Sequence, residues 1–138
     1  MDGLKIYVTP GCLGCRLAMA FFDRHCISYI KKNILKEKLK PEEIMDILSL
    51  SENGFDDILS TRSKEHQQKR RQINNYTIGE MIELIILYPQ ILSRPIIIQY
   101  HNSRPQRLLI GYNSNDIEIF LRGLYDQKPK QATIPSPD

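Results

Sequence analysis

A short apolar segment that leads through a turn into a Cys-x-x-Cys motif constrains the fold of this chain more than any other feature. Residues 4–9 alternate apolar and polar side chains, which predicts a strand. Cys12 and Cys15 stand at the start of a predicted helix over residues 12–25, and residues 27–34 predict a second strand. A strand, a helix and a strand with short connections favour a right-handed βαβ unit whose strands run parallel.

The two cysteines lie where a helix N-terminus changes thiol chemistry. The helix dipole and the free backbone N–H groups stabilise a thiolate on Cys12, and Cys15 follows one helical turn later. Such a pair can form and break a disulfide within one motif, so the pattern predicts a thioredoxin-like redox site. Half of a zinc site and two small buried residues are the alternatives, although the histidines lack the spacing of zinc ligands. The third cysteine, Cys26, is predicted to be a core residue.

Length and composition predict a single intracellular domain. The chain has 138 residues, which suits one domain with a core of its own. No apolar run approaches the roughly 18 residues of a membrane span, and the first residues lack the apolar region of a signal peptide. Three cysteines do not make a secreted disulfide framework, so we expect a cytoplasmic protein without membrane attachment. The net charge of +3 permits contact with nucleic acid without requiring it.

Helical patterns fill the middle of the chain. Pro41, followed by two glutamates, begins one predicted helix, and a turn at Gly54 ends it. Residues 55–59 predict a short helix. We therefore expect a helical insert over residues 41–90.

A capping box marks the last helix of this insert. Thr77 and Glu80 have the spacing at which each side chain accepts a hydrogen bond from the other residue's backbone N–H. This helix is predicted to end before Pro89. Its predicted apolar stripe consists of Ile78, Met81, Ile82 and Ile85.

Strand signals return after the insert. Residues 95–100 and 108–111 are short and rich in β-branched or aliphatic side chains, and together they predict a hairpin. Asn115 with Glu118 predicts a cap for a last helix over residues 116–124.

These elements together predict a thioredoxin-like α/β fold, with a βαβ half, a ββα half and helices inserted between them. We expect this single domain to occupy residues 1–126. Residues 127–138 contain three prolines and few apolar side chains, which predicts a disordered tail.

Five short stretches, in this order and spacing, resemble the Spx and arsenate reductase (ArsC-like) family over roughly residues 3–122. The stretches are residues 11–16, 52–58, 60–64, 93–98 and 111–113. Within this family they most resemble the Spx transcription regulators of low-GC Gram-positive bacteria. The resemblance implies a cytoplasmic, monomeric regulator of oxidative and thiol stress genes that needs no metal or organic cofactor.

A regulator of this kind binds the C-terminal domain of the RNA polymerase α subunit and meets promoter DNA only within the polymerase complex. By resemblance, Cys12 and Cys15 are its redox switch, and their disulfide forms under oxidising stress. Gly54 corresponds to a polymerase contact, although the residues alone also allow an ordinary helix C-cap. Arg62 and Lys64 correspond to positions that contact promoter DNA or couple to the oxidised site, and a solvated basic face is the alternative.

The resemblance also places Arg94 and Pro95 beside the cysteine motif. The peptide bond before Pro95 is then expected to be cis. The positive charge of Arg94 would favour a thiolate on Cys12. From the residues alone, a purely structural salt bridge of Arg94 is also open.

Arsenate reduction is the alternative function within the same family. Cys12 would attack arsenate, with Arg62, Arg94 and Arg107 holding the oxyanion near the helix N-terminus. The second thiol, Cys15, favours the regulator. A glutaredoxin-like oxidoreductase is a third alternative, but this chain lacks the proline that such enzymes usually have between the two cysteines. The family also implies control by a Clp-type protease and adaptor, but residues 129–138 depart from the basic, helical pattern of its C-terminal segment.

Overall fold

The computed structural model describes residues 2–60 and 76–121, which contain four strands and four helices. None of the helices in these two ranges is both long and apolar enough to cross a membrane. The strands are β1 (Gly3–Val8), β2 (Tyr29–Asn33), β3 (Ile96–His101) and β4 (Arg104–Ile110). The helices are α1 (Leu13–Arg24), α2 (Pro41–Leu50), α3 (Phe55–Ile58) and α4 (Ile78–Leu87), with 3₁₀ turns at Pro89–Ile91 and Asp116–Glu118.

The strands form one mixed sheet in the order β2-β1-β3-β4. β1 and β2 are parallel, as the sequence predicts for a βαβ unit. β3 runs antiparallel to both β1 and β4, so β1 and β3 are the interior strands. The predicted α/β class, the βαβ half and the hairpin of the second half are therefore confirmed.

Helices cover both faces of this sheet. Tyr7, Ile96 and Ile98 pack on the face that α2, α3 and α4 cover. Leu4 and Ile6 pack on the opposite face, which α1 and the last 3₁₀ turn cover. Because side chains alternate along a strand, β1 and β3 supply both cores, and the described helices of the predicted insert, α2, α3 and α4, share one face of the sheet.

One buried carboxylate fixes α2 on the sheet. The side chain of Glu43 accepts hydrogen bonds from Lys5 at 3.0 Å, from Lys32 at 2.6 Å and from Tyr7 at 3.0 Å. It also accepts the backbone N–H of Lys40 at 2.8 Å, and only 7% of the residue is exposed. Two strands and the first turn of a helix therefore meet at a single charged side chain.

The C-terminal end of α1 explains the position of Cys26. The backbone N–H of Ile27 bonds the carbonyl of Phe22 at 2.8 Å, and that of Cys26 bonds Asp23 at 3.2 Å. These bonds form a Schellman motif, which needs a left-handed residue, and Cys26 supplies it with φ 55°. The prediction that Cys26 is a core residue is wrong, since its side chain is exposed and the buried residue of this turn is Ile27.

The predicted capping box of α4 is confirmed. The backbone N–H of Thr77 bonds Glu80 at 2.8 Å, and that of Glu80 bonds the Thr77 hydroxyl at 3.1 Å. The predicted stripe is partly wrong, because Ile78, the first helical residue, is 61% exposed. The packed face begins one turn later, at Met81, Leu84 and Ile85.

The hairpin is longer than the sequence predicts. Asn102 and Ser103 both have left-handed backbone conformations, with φ 53° and 64°, which make a two-residue turn that matches strand twist. Pairing therefore starts at Arg104, four residues before the predicted strand. The polar residues after the turn and Pro105 are tolerated because β4 is an edge strand.

The last 3₁₀ turn is capped by a residue other than the predicted one. Asn115 makes no side-chain capping bond. Instead, the side-chain oxygen of Asn113 accepts the backbone N–H groups of Asn115 at 2.8 Å and of Asp116 at 2.9 Å. The end of the predicted last helix and the predicted tail lie outside the described residues.

Candidate functional site

Cys12 caps the N-terminus of α1 with its sulfur atom. The Cys12 Sγ accepts the backbone N–H of Cys15 at 3.3 Å, and both thiols are free. Cys12 is half-buried and faces a cavity, so it is the accessible sulfur of the pair. The N-terminal N–H groups of α1 are oriented to stabilise negative charge on this sulfur.

Cys15 lies in a different environment. Only 1% of the residue is exposed, and burial together with the neighbouring Cys12 sulfur raises its pKa to about 12. A backbone hydrogen bond at Thr9 and the charge of Arg94 act in the opposite direction. Cys15 is therefore a protonated thiol at neutral pH, and the pair combines one accessible sulfur with one buried sulfur.

An open cavity of about 980 Å³ lies beside Cys12. The N-terminal turn of α1, the segment after α3, the segment before β3 and the end of β4 form its walls. The Leu59–Leu92 bridge and the backbone hydrogen bond from Ser60 to Ile91 hold two of these segments together. The polar residues that line the cavity are Cys12, Asp57, Ser60, Gln90, Ser93, Arg94 and Tyr112.

Arg94 lies on the cavity wall, and Pro95 packs next to Gly14 in the first turn of α1. The Arg94–Pro95 peptide bond is cis, as the resemblance implies. The Arg94 guanidinium donates to the carbonyls of Gln90 and Leu92, each at 3.1 Å. Its partners among the described residues are thus backbone carbonyls, and its positive charge slightly opposes the rise in the pKa of Cys15.

Gly54 precedes α3 and does not end α2, so its interpretation as a C-cap is wrong. The C-cap of α2 is Ser51, whereas Gly54 is the N-cap of α3. Its φ of 63° and ψ of −132° favour glycine, because a side chain is strained in this conformation. A Cβ atom at this position would meet no atom within 4 Å, so the backbone of Gly54 is open to close approach.

Comparison with known protein families identifies the family of this chain. The sequence model of the ArsC family matches residues 7–120.

The chain belongs to the ArsC family.

Curated relatives of this ArsC-family chain carry the name of a regulator. The global transcriptional regulator Spx of Streptococcus pneumoniae strain R6 is 38% identical over 132 residues, which cover 95% of this chain and 96% of the relative. The global transcriptional regulator Spx 1 of Lactococcus lactis is 34% identical over 131 residues, covering 95% and 98%. The predicted resemblance to the Spx and arsenate reductase family is therefore confirmed.

Solved structures of the ArsC family share the fold. A possible arsenate reductase from Streptococcus mutans superposes with a TM-score of 0.69 at 20% identity, covering 86% of this chain and 99% of that one. The arsenate reductase from Vibrio cholerae gives a TM-score of 0.65 at 16% identity, covering 88% and 97%. At these identities the likeness shows the fold alone, and it confirms the predicted thioredoxin-like class.

The arginines predicted for an oxyanion site are not all brought together. Arg107 lies on β4, where its guanidinium is 3.4 Å from the side-chain oxygen of Gln99, and it does not line the cavity at Cys12. Arg62 and Lys64 lie outside the described residues. Within residues 2–60 and 76–121, Arg94 is the arginine on the cavity wall.

Sequence reasoning misses part of the cavity. Asp57, Ser93 and Tyr112 line it, but the sequence alone singles out none of them as a site residue. All three fall in stretches that carry the family resemblance, and this is the signal that could have found them. In the two described ranges, no group of three or more His, Cys, Asp or Glu side chains could hold a metal ion.

Proposed function

We propose that this protein is a global transcriptional regulator of the Spx type. The observation that supports this most is the identity of 34–38% to proteins named Spx over nearly the full length of both partners. The Cys12–Cys15 pair at the start of α1 agrees with a redox-responsive regulator. A monomer that acts in the cytoplasm on oxidative and thiol stress genes is part of this proposal.

The switch of the proposed regulator is the reversible Cys12–Cys15 disulfide. An oxidant such as a low-molecular-weight disulfide accepts two electrons and two protons from the thiols, and an S–S bond forms between the two sulfurs. The accessible Cys12 is the sulfur that reacts first, and the buried Cys15 then displaces the leaving thiol. A bond within the first turn alters the cap of α1, because the Cys12 sulfur that accepts the Cys15 N–H in the reduced protein becomes part of the disulfide.

The proposed partner is the C-terminal domain of the RNA polymerase α subunit, which docks around Gly54. Support comes from the open space at the Gly54 backbone, which allows another protein to approach closely. Asn53 and Asp57 shape this surface, since the Asp57 carboxylate accepts the Asn53 backbone N–H at 2.9 Å. Asp57 also lines the cavity at Cys12, so the proposed docking surface and the dithiol share a wall.

Calorimetry with the isolated C-terminal domain of the polymerase α subunit tests this proposal. We expect binding in the micromolar range or tighter, measured with the protein reduced and then oxidised. Gly54→Arg should abolish it, while Gly54→Ala, which imposes the same backbone strain without bulk, should largely keep it. Equal loss in both variants would assign Gly54 to local folding instead, and a folded wild-type protein that binds in neither redox state would overturn the regulator.

Promoter contact by Arg62 and Lys64, within the polymerase complex, completes the proposal. Phosphate contacts of basic side chains are sensitive to salt and indifferent to sequence. Lys64 begins a basic run that continues with Lys69, Arg70 and Arg71. Glutamine substitutions at the last three positions should weaken promoter binding by the complex and reduce its dependence on salt. Unchanged binding would mean that this basic run is a solvated face.

Arsenate reduction is the second candidate, because the accessible Cys12 lies at a helix N-terminus and faces a cavity that Arg94 also lines. An assay with arsenate, glutathione and glutaredoxin tests it, with Cys12→Ser as the control. Turnover that depends on Cys12 would establish the enzyme. We expect none, since Arg107, a predicted ligand of the oxyanion, lies away from the cavity.

A further inference from the structure

Gly14, between the two cysteines, lies unusually close to the opposite wall of the site. A Cβ atom built on Gly14 would be 3.3 Å from the Cδ of Pro95 and 3.4 Å from the Cβ of Tyr112. Pro95 is buried, and its carbonyl accepts the backbone N–H of Gly111 at 2.7 Å. Both neighbours are side-chain atoms that lie next to the backbone, a proline ring carbon and a Cβ, and neither is the flexible end of a long side chain.

A second glycine shows that this closeness is specific to the dithiol turn. Gly79 is the second residue of α4, just as Gly14 is the second residue of α1. A Cβ atom on Gly79 would meet only the Thr77 hydroxyl, at 3.9 Å. Replacing either glycine by alanine has the same effect on helix propensity, so the two positions differ in packing.

We propose that Gly14 is a positioning residue that stabilises the Cys12–Cys15 disulfide by letting the first turn of α1 lie against Pro95 and Tyr112. This inference rests on the dithiol switch proposed above. A methyl group on residue 14 forces the turn or its neighbours to move by a few tenths of an ångström, since these distances are shorter than most Cβ contacts.

The free-energy cost of such a movement differs between the dithiol and the disulfide. In the dithiol, no covalent bond joins the two sulfur atoms, so each can shift by a few tenths of an ångström without the other. In the disulfide, a closed ring joins both side chains to the same helical turn, and its geometry tolerates little deviation. The added methyl group therefore raises the free energy of the disulfide more than that of the dithiol.

Equilibration in buffers of reduced and oxidised glutathione measures this difference. In the balanced reaction, the protein dithiol and one oxidised glutathione give the protein disulfide and two reduced glutathiones. The fraction oxidised is read by mass spectrometry after the remaining thiols are alkylated. Gly14→Ala should lower the equilibrium constant for disulfide formation about tenfold, which is about 30 mV, while Gly79→Ala should leave it unchanged.

The possible results separate this inference from the function on which it rests. A Gly14→Ala variant with the wild-type equilibrium constant overturns the positioning role and leaves the switch in place. A wild-type protein that forms no internal disulfide in any buffer overturns the switch itself and this inference with it. If circular dichroism shows that Gly14→Ala does not fold, a double variant with Tyr112→Gly removes one of the two contacts. The equilibrium constant for disulfide formation is then compared between this double variant and Tyr112→Gly alone.

Discussion

The Oε1 atom of Glu43 lies 2.6 Å from the Nζ atom of Lys32 and joins α2 to the edge strand β2. The side chains of the pair are only 9% and 12% exposed. Lys5 on β1 binds the other carboxylate oxygen at 3.0 Å. Since α2 leads into the Gly54 turn, this joint also orients the proposed docking surface.

Removing the charge of Glu43 should destabilise the protein strongly. Glu43→Gln leaves two half-buried ammonium groups without their carboxylate, and breaking a buried ion pair in this way costs about 3 kcal/mol. Urea unfolding measures the loss. Glu42→Gln, at the neighbouring exposed position, should cost less than about 0.5 kcal/mol. Equal effects of the two substitutions would contradict a special role for Glu43.

Acid should weaken the same joint. Burial alone would raise the pKa of Glu43, but hydrogen bonds from Lys32, the Lys40 backbone and Lys5 outweigh it and bring the pKa to about 2. A carboxyl whose pKa falls on folding stabilises the protein fully above its unfolded value, here 4.5. This stabilisation is lost as the pH falls from 4.5 towards 2.

Urea unfolding at a series of pH values tests the acid dependence. The free energy of unfolding of the wild type should drop across this range, and that of Glu43→Gln should drop less. Glu42→Gln is the control and should follow the wild type. A Glu43→Gln curve parallel to the wild-type curve would mean that other carboxyl groups account for the acid sensitivity.

The cysteines should differ in their reactivity. Cys26 is exposed and Cys12 is half-buried, so iodoacetamide should label both in the reduced protein at about pH 8. Cys15 is buried and its pKa is raised to about 12, so it should stay unlabelled until the protein unfolds. Peptide mapping by mass spectrometry distinguishes the three sites. Labelling of Cys15 at the rate of Cys26 would contradict the buried position of its sulfur.

Substitution of two asparagines distinguishes which of them caps the last 3₁₀ turn. Asn113→Ala removes an oxygen that accepts two backbone N–H groups, and it should cost about 1 kcal/mol of stability. Asn115→Ala removes no side-chain capping bond and should change stability by less than about half of that. Thermal unfolding of both variants compares them directly. A larger loss of stability in Asn115→Ala than in Asn113→Ala would mean that Asn115 is the cap, as the sequence predicts.

Local patterns predict the elements that carry the dithiol. The strand pattern of β1, the cysteines at the start of α1 and the capping box at Thr77 and Glu80 depend on neighbours in the sequence, and the structure has all three. These features need no knowledge of the fold, because a cap or a strand pattern involves residues only a few positions apart.

The sequence misses residues whose role depends on distant parts of the chain, and it also misses local conformations that their residue types do not indicate. Glu43 looks like an ordinary acidic residue in a first helical turn, and only the pairing of β1 with β2 places Lys5 and Lys32 around it. The sequence predicts a buried Cys26 because this residue adjoins an apolar run. A left-handed position after a helix usually takes glycine, so the sequence carries no sign of it here.

The candidate site likewise has one part that the sequence predicts and another part that only the folded chain determines. The cysteine spacing predicts the two thiols, but it does not distinguish the accessible Cys12 from the buried Cys15. That difference, and the cavity wall at Asp57 and Tyr112, arise where segments far apart in the sequence converge. The close approach of Gly14 to Pro95 is likewise a property of the folded chain alone.

The turn with Cys12 leaves β1, and the Arg94–Pro95 turn enters β3. These are the two strands with hydrogen-bonded neighbours on both sides. Amide hydrogens in such strands exchange with solvent mainly through global unfolding, whereas the edges of a sheet open locally. The two turns that carry Cys12 and Arg94 are therefore anchored to the strands that open last, and among the described residues only the wall at the end of β4 belongs to an edge strand. A thiol sensor built there would report covalent chemistry at its sulfurs, and moderate heat alone would not imitate its signal.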